Sequence, residues 1–424
     1  MNCHRFTPPA LVALLAGAAL LAACETDTVT VEEPPDTGEP VAEEPSSGGG
    51  AEDENSPADY EVEAAIVVDG LNRPWSLAFL PGDGDFALVT ERPGHLNLVD
   101  LSSGDSSRVA GLPEIAAPGR AGLLDVALHP DFEENRRVYL TYVTSGEGAY
   151  ALAVGRGRLN SGADALTDFE ELFVATPYDR GNHYGGRMVF DGDGYLYVTS
   201  GDRQAPHHLQ ENHPSQDLQS YHGKTIRLND DGSIPGDNPF VGDADALDAI
   251  YTYGHRNHQG MAVHPVTGRI WQNEHGEQDG DEINVLDITG GAAAGANYGW
   301  PIATYGRDYR DGSEIGVLPP EDPNTVDPVH WWEEGADGGF PPSGMAFYRG
   351  DPFAGWEGDM LMGNLADRYL ARFEMDGETI VAEHRLLEGR GRRIRDVRVH
   401  PESGYIYVLV DANSAPLVRL TPAQ

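Results

Sequence analysis

Between Tyr251 and Pro301 the chain concentrates residues whose types could do chemistry. The stretch opens on YTYGHRNHQG, runs through WQNEHGEQDGDEIN and closes on ANYGWP. Arg256 beside Asn257 offers a forked cation and an amide, a pair suited to gripping a planar, oxygen-rich ligand. Glu277, Asp279, Asp281 and Glu282 crowd carboxylates and turn carbonyls into six positions, which suits a hard cation such as calcium. A solvated acidic loop would account for the carboxylates alone. It would not account for a Tyr and a Trp set among glycines at the end of the same segment.

The elements that must position these residues are strands. No long stretch beyond the amino-terminal segment has helical periodicity; a strand–turn–strand unit recurs instead, at residues 75–90, 122–143, 186–200, 260–273, 344–363 and 397–410. Most copies pair a short apolar strand (LAFL, VALH, MVFD, MAVH, MAFY) with a Pro/Asp/Gly turn and an alternating strand such as FALVTE or YIYVLVD. The copies lie about 45 to 85 residues apart, room for a four-stranded blade and its loops, so the pattern predicts an all-β, six-bladed β-propeller. A sandwich has no reason to repeat one hairpin six times. Arg120, His183, Arg256 with Asn257, Ser343, and Arg393 with Arg395 all fall at the start of their own hairpin. In a closed ring such positions share one end of the central channel, so these residues are expected to converge on one pocket.

These runs, in this order, resemble the soluble glucose/sorbosone dehydrogenase family, six-bladed propellers that oxidise aldose sugars with pyrroloquinoline quinone (PQQ) and calcium. The family pattern has GHRNPQG, E(H/Q)GP…DEIN, GNYGWP, H-x-x-G-R and R-x-R-D-V runs; here they correspond to residues 254–260, 274–284, 296–301, 183–187 and 393–397. The resemblance extends over about residues 63–422. It implies that His183 is the general base, a role imidazole fills near neutrality, with Asp202 orienting it. It assigns Arg256 and Asn257 to the reactive side of PQQ and Arg393 and Arg395 to its carboxylates, with Ser343 among the cofactor contacts. Arg393 and Arg395 alternate onto one face of an extended segment, suited to bidentate bonds with carboxylates. Main-chain carbonyls of Gly276 and Glu277 correspond to the ligands of the cofactor-linked calcium. Glu282 and Tyr298, with Asp308 as a further candidate, correspond to a second, structural calcium site.

Three departures from the family pattern touch the expected substrate, quinone and calcium contacts. Arg120 stands in GRAGLL where members often carry a substrate-facing Gln, and Ala366 stands in GNLADR where a lysine near the quinone is common. Glu277 replaces the proline of the GP pair, which leaves its carbonyl in place. Arg120 is accordingly the expected substrate contact, and glucose itself is not implied. Two other functions remain open on the sequence: a non-enzymatic propeller that binds carbohydrate or protein, and a calcium-dependent lactonase. Neither needs the arginine pair together with His183.

The amino terminus reads as an export signal over residues 1–24: Arg5, an apolar run, and Leu-Ala-Ala-Cys ending at Cys24, a lipobox-like cleavage and acylation site. Residues 25–59 hold twelve acids, no base, and many Pro, Ser and Gly, the composition of an extended disordered tether. The expected product is therefore a bacterial cell-envelope lipoprotein with its propeller in residues 60–424. With Cys3 removed and Cys24 acylated, no cysteine remains for a disulfide, and the fold must rest on its core. The formal charge is −41; without the twelve acids and Arg5, 27 bases face 57 acids in the folded part. That balance argues against nucleic acid, and against membrane contact other than through the lipid. The expected partners are an aldose sugar and an electron acceptor of unknown identity. Lys224 is the sole lysine in the chain.

Overall fold

In the computed structural model, residues 62–423 are described, apart from 83–84, 147, 180 and 333–339. Cys24 and the acidic segment lie outside them. Twenty-four strands form six four-stranded antiparallel sheets, the predicted six blades. Each predicted hairpin is the inner pair of strands of one blade. The innermost strands are Pro74–Phe79, Leu123–Leu128, Gly185–Phe190, Asn257–Val263, Pro342–Phe347 and Ile394–Val399, each packed beside the next around the ring. Among the described residues the one α-helix is the four-residue turn Phe132–Asn135.

Ring closure comes from the start of the described chain. Val62–Leu71 pairs antiparallel with Ala415–Pro422, Val62 opposite Pro422 and Ile66 opposite Val418, and becomes the outer strand of blade six. Closing the first element onto the last removes a free sheet seam that would otherwise invite pairing with another chain.

The apolar core is divided among the blade interfaces. Leu88 and Leu96 of blade one pack with Val126 and Leu140 of blade two, Ile270 and Leu286 pack with Tyr197 and Tyr251, and Trp271 packs with Met345 and Met362. At the axis the packing turns ionic. Arg187 is 0% exposed, reaches Asp396 at 3.1 Å and Asp125 at 3.4 Å, and lies over Trp75 with its guanidinium carbon 4.1 Å from the ring centre. Asp125 also accepts the Ser76 hydroxyl at 2.5 Å, and Arg398 approaches Asp396 at 3.4 Å. These groups come from blades one, two, three and six, so the network ties non-adjacent blades together across the channel.

Candidate active site

All six inner hairpins share one irregularity: the register of the first strand slips within its first residues, as between Gly185 and Met188, His258 and Gly260, or Ile394 and Asp396. A bulge re-aims side chains locally and increases twist. Repeated at one end of every blade, it frees the hairpin starts from strict alternation. That is where the candidate residues sit.

His183 has a left-handed backbone, φ 47°, just before blade three. Its Nδ1 lies 2.7 Å from Asp202 Oδ1, and both side chains are largely buried. The other carboxylate oxygen of Asp202 accepts the Trp300 indole N–H at 3.0 Å, and the backbone N–H of Gln204 donates to Oδ1 at 2.8 Å. Gly201 is required where the two segments meet, since a Cβ there would fall 2.3 Å from the His183 carbonyl oxygen. Burial lowers the His183 pKa despite Asp202, and the nearby Arg256 cation lowers it further. Burial opposes ionisation of Asp202, yet the imidazole and Arg256 hold its carboxyl at about 2. The pair is therefore a neutral imidazole donating Nδ1–H to a carboxylate, which leaves Nε2 as the proton acceptor.

Arg256 joins this group through its main chain, whose carbonyl accepts the Asp202 N–H at 2.7 Å. Its guanidinium donates to Glu277 at 2.5 Å and to the His275 carbonyl at 3.2 Å, and lies 5.2 Å from the Trp300 ring centre. Next in the chain, Asn257 Oδ1 accepts from Gln259 Nε2 at 3.2 Å, and Gln259 Oε1 accepts from Arg395 at 3.0 Å. Arg395 also binds Asp411 at 2.7 Å, while Arg393 donates to the Leu365 carbonyl at 3.0 Å and stands 3.6 Å from Asp411. The side chain of Arg393 is 35% exposed and that of Arg395 6%.

Two expectations need adjustment. Ser343 is at the predicted phase, but its buried hydroxyl donates to the Ile394 carbonyl at 2.6 Å and its carbonyl accepts from Asn273 at 2.8 Å. It stitches blade five to its neighbours instead of facing a ligand. Asp308 pairs with Arg310 and with His207 at 3.1 Å, so it would reach a metal only by giving up these partners. Arg120 is exposed, with its backbone N–H on the Gly181 carbonyl at 3.0 Å.

The residues present fit the implied cofactor. Arg92, overlooked in the sequence, has its pKa pushed down to about 10 by burial and by the cations of Arg395, Arg73 and Arg120, with Asp411 opposing. Four guanidiniums around Asp411, those of Arg73, Arg92, Arg393 and Arg395, in a chain of net charge −41, leave a local positive excess that a polycarboxylate would neutralise. Arg256 also keeps a buried Nε without a hydrogen-bond partner.

The residues also fit calcium. The turn holding Gly276 and Glu277 is so tight that a Cβ on Gly276 would lie 1.9 Å from the Asp279 carbonyl oxygen. Glu282 and Glu274 are buried carboxylates sharing the amide of Asn284, at 2.8 and 3.0 Å, and line one small cavity with Gly276, Tyr298 and Thr304. Burial and the charge of Glu274 push the Glu282 carboxyl well up, the imbalance a cation would relieve. The Tyr298 hydroxyl donates to the Val285 carbonyl at 3.0 Å, so only its main-chain carbonyl could serve a metal.

The long loop over residues 201–223 is held against this end of blade three from beneath. Lys224 is 0% exposed, and its ammonium donates to the carbonyls of Pro214, Ser215 and His222 at 2.9, 2.9 and 2.7 Å. Gln216 of the same loop donates to the Trp300 carbonyl at 2.8 Å, fixing the indole that Asp202 uses.

A family model described as Glucose / Sorbosone dehydrogenase matches residues 71–419. An aldose sugar dehydrogenase, YliI, of Escherichia coli K12 is 41% identical over 371 residues, covering 87% of this chain and 94% of that protein. The apo crystal structure of the soluble aldose sugar dehydrogenase of E. coli superposes with a TM-score of 0.77 at 40% identity, over 85% of this chain and all of the other. A PQQ-bound aldose sugar dehydrogenase structure from Streptomyces coelicolor superposes at 0.67 with 27% identity, over 86% and 99%. With the family match spanning almost every described blade, and the ordered motifs gathered at one end of the ring, this chain belongs to the glucose/sorbosone dehydrogenase family.

Proposed function

We propose that this protein oxidises the anomeric carbon of an aldose to the lactone, using PQQ and calcium. The observation that carries the reading is the His183–Asp202 pair, a buried neutral imidazole oriented at 2.7 Å beside the Arg256 cation. PQQ, when bound, supplies the two-electron acceptor. Arg393 and Arg395 would bind its carboxylates, Arg256 and Asn257 would contact its quinone side, and the carbonyls of Gly276 and Glu277 would hold the cofactor-linked calcium. Glu282 with the Tyr298 carbonyl would hold the structural ion.

The chain's own residues handle the proton. Asp202 keeps the Nδ1–H tautomer, so Nε2 of His183 accepts the proton of the anomeric hydroxyl. Loss of that proton, together with departure of the C1 hydrogen as hydride, makes the C1=O bond of the lactone. Arg256, paired with Glu277, keeps a positive charge beside the imidazole and so disfavours imidazolium before substrate arrives. Arg120 at the mouth contacts the sugar; its guanidinium donates but cannot accept, which favours substrates presenting an acceptor oxygen or a carboxylate. Reoxidation then requires a separate electron acceptor.

The test is reconstitution. Purified apo protein is titrated with PQQ in calcium and in chelator, then assayed with a panel of aldoses and an artificial electron acceptor. Aldose-dependent reduction is expected only with PQQ and calcium together. PQQ affinity unchanged by chelator would remove calcium from the reading, and no turnover with any aldose at saturating PQQ would remove the dehydrogenase. We also propose that acylation at Cys24 anchors the protein to the cell envelope. A Cys24→Ser variant should leave the membrane fraction and keep its specific activity; retention after a high-salt wash would refute the anchor.

A further inference from the structure

His258 is the anomaly of the RNHQG run. The family pattern has proline there, a residue with no polar side-chain atom; this chain places an imidazole at a position with 0% exposure. Neither ring nitrogen has a hydrogen-bond partner among the described residues. A buried polar group left unpaired destabilises a fold, and here two atoms of one ring are unpaired.

The ring is aimed at other ligating groups. His255, also fully buried, lies with its ring centre 4.2 Å from that of His258. Glu274 is buried on the adjacent strand, its Oε1 2.8 Å from His255 Nδ1. One ligand atom from each of His255, His258 and Glu274 falls within 4.8 Å of the others. Two of the three are already anchored from behind. His255 Nε2 meets the Thr252 hydroxyl at 2.8 Å; with the proton on Nε2, that contact would orient the ring while an ion took the place of the present Nδ1–Glu274 hydrogen bond. Glu274 Oε2 accepts the Arg256 backbone N–H at 2.6 Å.

We propose that His255, His258 and Glu274 form a buried site for a divalent transition ion of the zinc–cobalt class. Two imidazoles and a carboxylate match that class, whereas calcium takes six to eight oxygens. Three protein ligands leave one position for water. The site is separate from the Gly276–Glu277 carbonyl turn but borders the Glu282–Tyr298 cavity, which Glu274 also lines. It clamps the strand Asn257–Val263 to Ile270–His275 next to Arg256 and Asn257, so the ion braces the residues proposed to face the cofactor.

The test needs no PQQ and no turnover. The full chain is expressed in medium supplemented with cobalt, dialysed against excess calcium, and measured for metal content and visible absorption. A stoichiometric cobalt ion with a low-symmetry d–d spectrum is expected in wild type. In His258→Pro, which restores the family pattern, cobalt should fall to background while circular dichroism and cooperative unfolding persist. If that variant does not fold, His258→Leu serves the same comparison. Cobalt at background in wild type, or equal cobalt and an equal spectrum in a folded His258 variant, would overturn the proposal. Either result leaves the dehydrogenase reading untouched.

Discussion

The substitution Asp202→Asn probes the proposed base most directly. Asp202 now accepts from three donors: His183 Nδ1 and the Gln204 N–H on one oxygen, the Trp300 indole on the other. Asparagine has a single acceptor oxygen. If that oxygen faces His183, its NH₂ group meets the indole N–H, and a buried donor pair is left unsatisfied at about 1–3 kcal/mol. If it faces Trp300, the NH₂ group meets the Gln204 N–H at a similar cost, but donates to Nδ1 and moves the imidazole proton to Nε2, the nitrogen needed as acceptor. Either arrangement leaves one buried donor against another, and in both the imidazole loses the carboxylate charge that holds its working tautomer. Removal of a general base slows turnover by roughly 10²–10⁴-fold, or about 3–5 kcal/mol in the barrier. The pH profile adds an independent reading. The active imidazole is neutral, so activity falls as pH drops through the His183 pKa. Asp202 raises that pKa, so removing its charge moves the acidic limb to lower pH. The assay is kcat against pH for the PQQ-loaded variant, with cofactor affinity measured separately and expected to change little. Turnover within a few-fold of wild type, with the acidic limb unmoved, would show that the pair is structural.

Arg187→Met should leave Asp125 and Asp396 sharing Arg398 as their one cation and destabilise the domain by up to about 3–5 kcal/mol, read from the urea midpoint; a midpoint close to wild type would mean that the axial network relaxes around the loss. Ser343→Ala should cost about 1–3 kcal/mol of stability through the orphaned Ile394 carbonyl. It should leave PQQ affinity unchanged, and a large loss of affinity would restore Ser343 as a cofactor contact. Arg120→Gln should lower the preference for uronic acids over neutral aldoses by about tenfold in relative kcat/KM, as expected for one exposed charge-assisted hydrogen bond. An unchanged ratio would turn Arg120 away from the substrate.

The inner half of every blade was legible because both of its strands are buried and their turns are short, so LAFL or MVFD followed by Pro, Asp and Gly repeats visibly. The outer strands hide their signal. His330–Trp331 has only two residues, and Thr379–Leu386 alternates between exposed and half-buried positions. The closing strand Val62–Leu71 is mostly exposed or half-buried and finds its partner at the opposite end of the chain, which no local pattern announces. The shared hairpin phase located His183, Arg256 and Arg395, but phase fixes the end of a strand and not the direction of a side chain beside a bulge; hence Ser343 points into a seam. Trp300, Asp411 and Arg92 lie outside that phase, whereas Gln259 lies within it, one residue before its hairpin. Gln259 and Trp300 stood inside conspicuous runs, and the donor-only indole beside a buried acid was the signal that could have been followed. The role of Arg187 was hidden for a different reason, since a buried arginine is recognisable only by the two acids that other blades bring to it.

The buried Lys224 has a consequence for chemical durability. Open-chain aldehydes of reducing sugars condense with unprotonated amines, and lysine side chains are the usual target on a protein surface. Here the only ε-amine of the chain is enclosed, with three carbonyls around its nitrogen, while the exposed bases are guanidiniums and imidazoles. A folded domain of this composition offers no lysine for Schiff-base formation and browning. If aldoses are its substrates, it can stay immersed in them without its lysine being glycated. Prolonged incubation with ribose should therefore modify Lys224 only after unfolding, an outcome that peptide mass mapping would read directly.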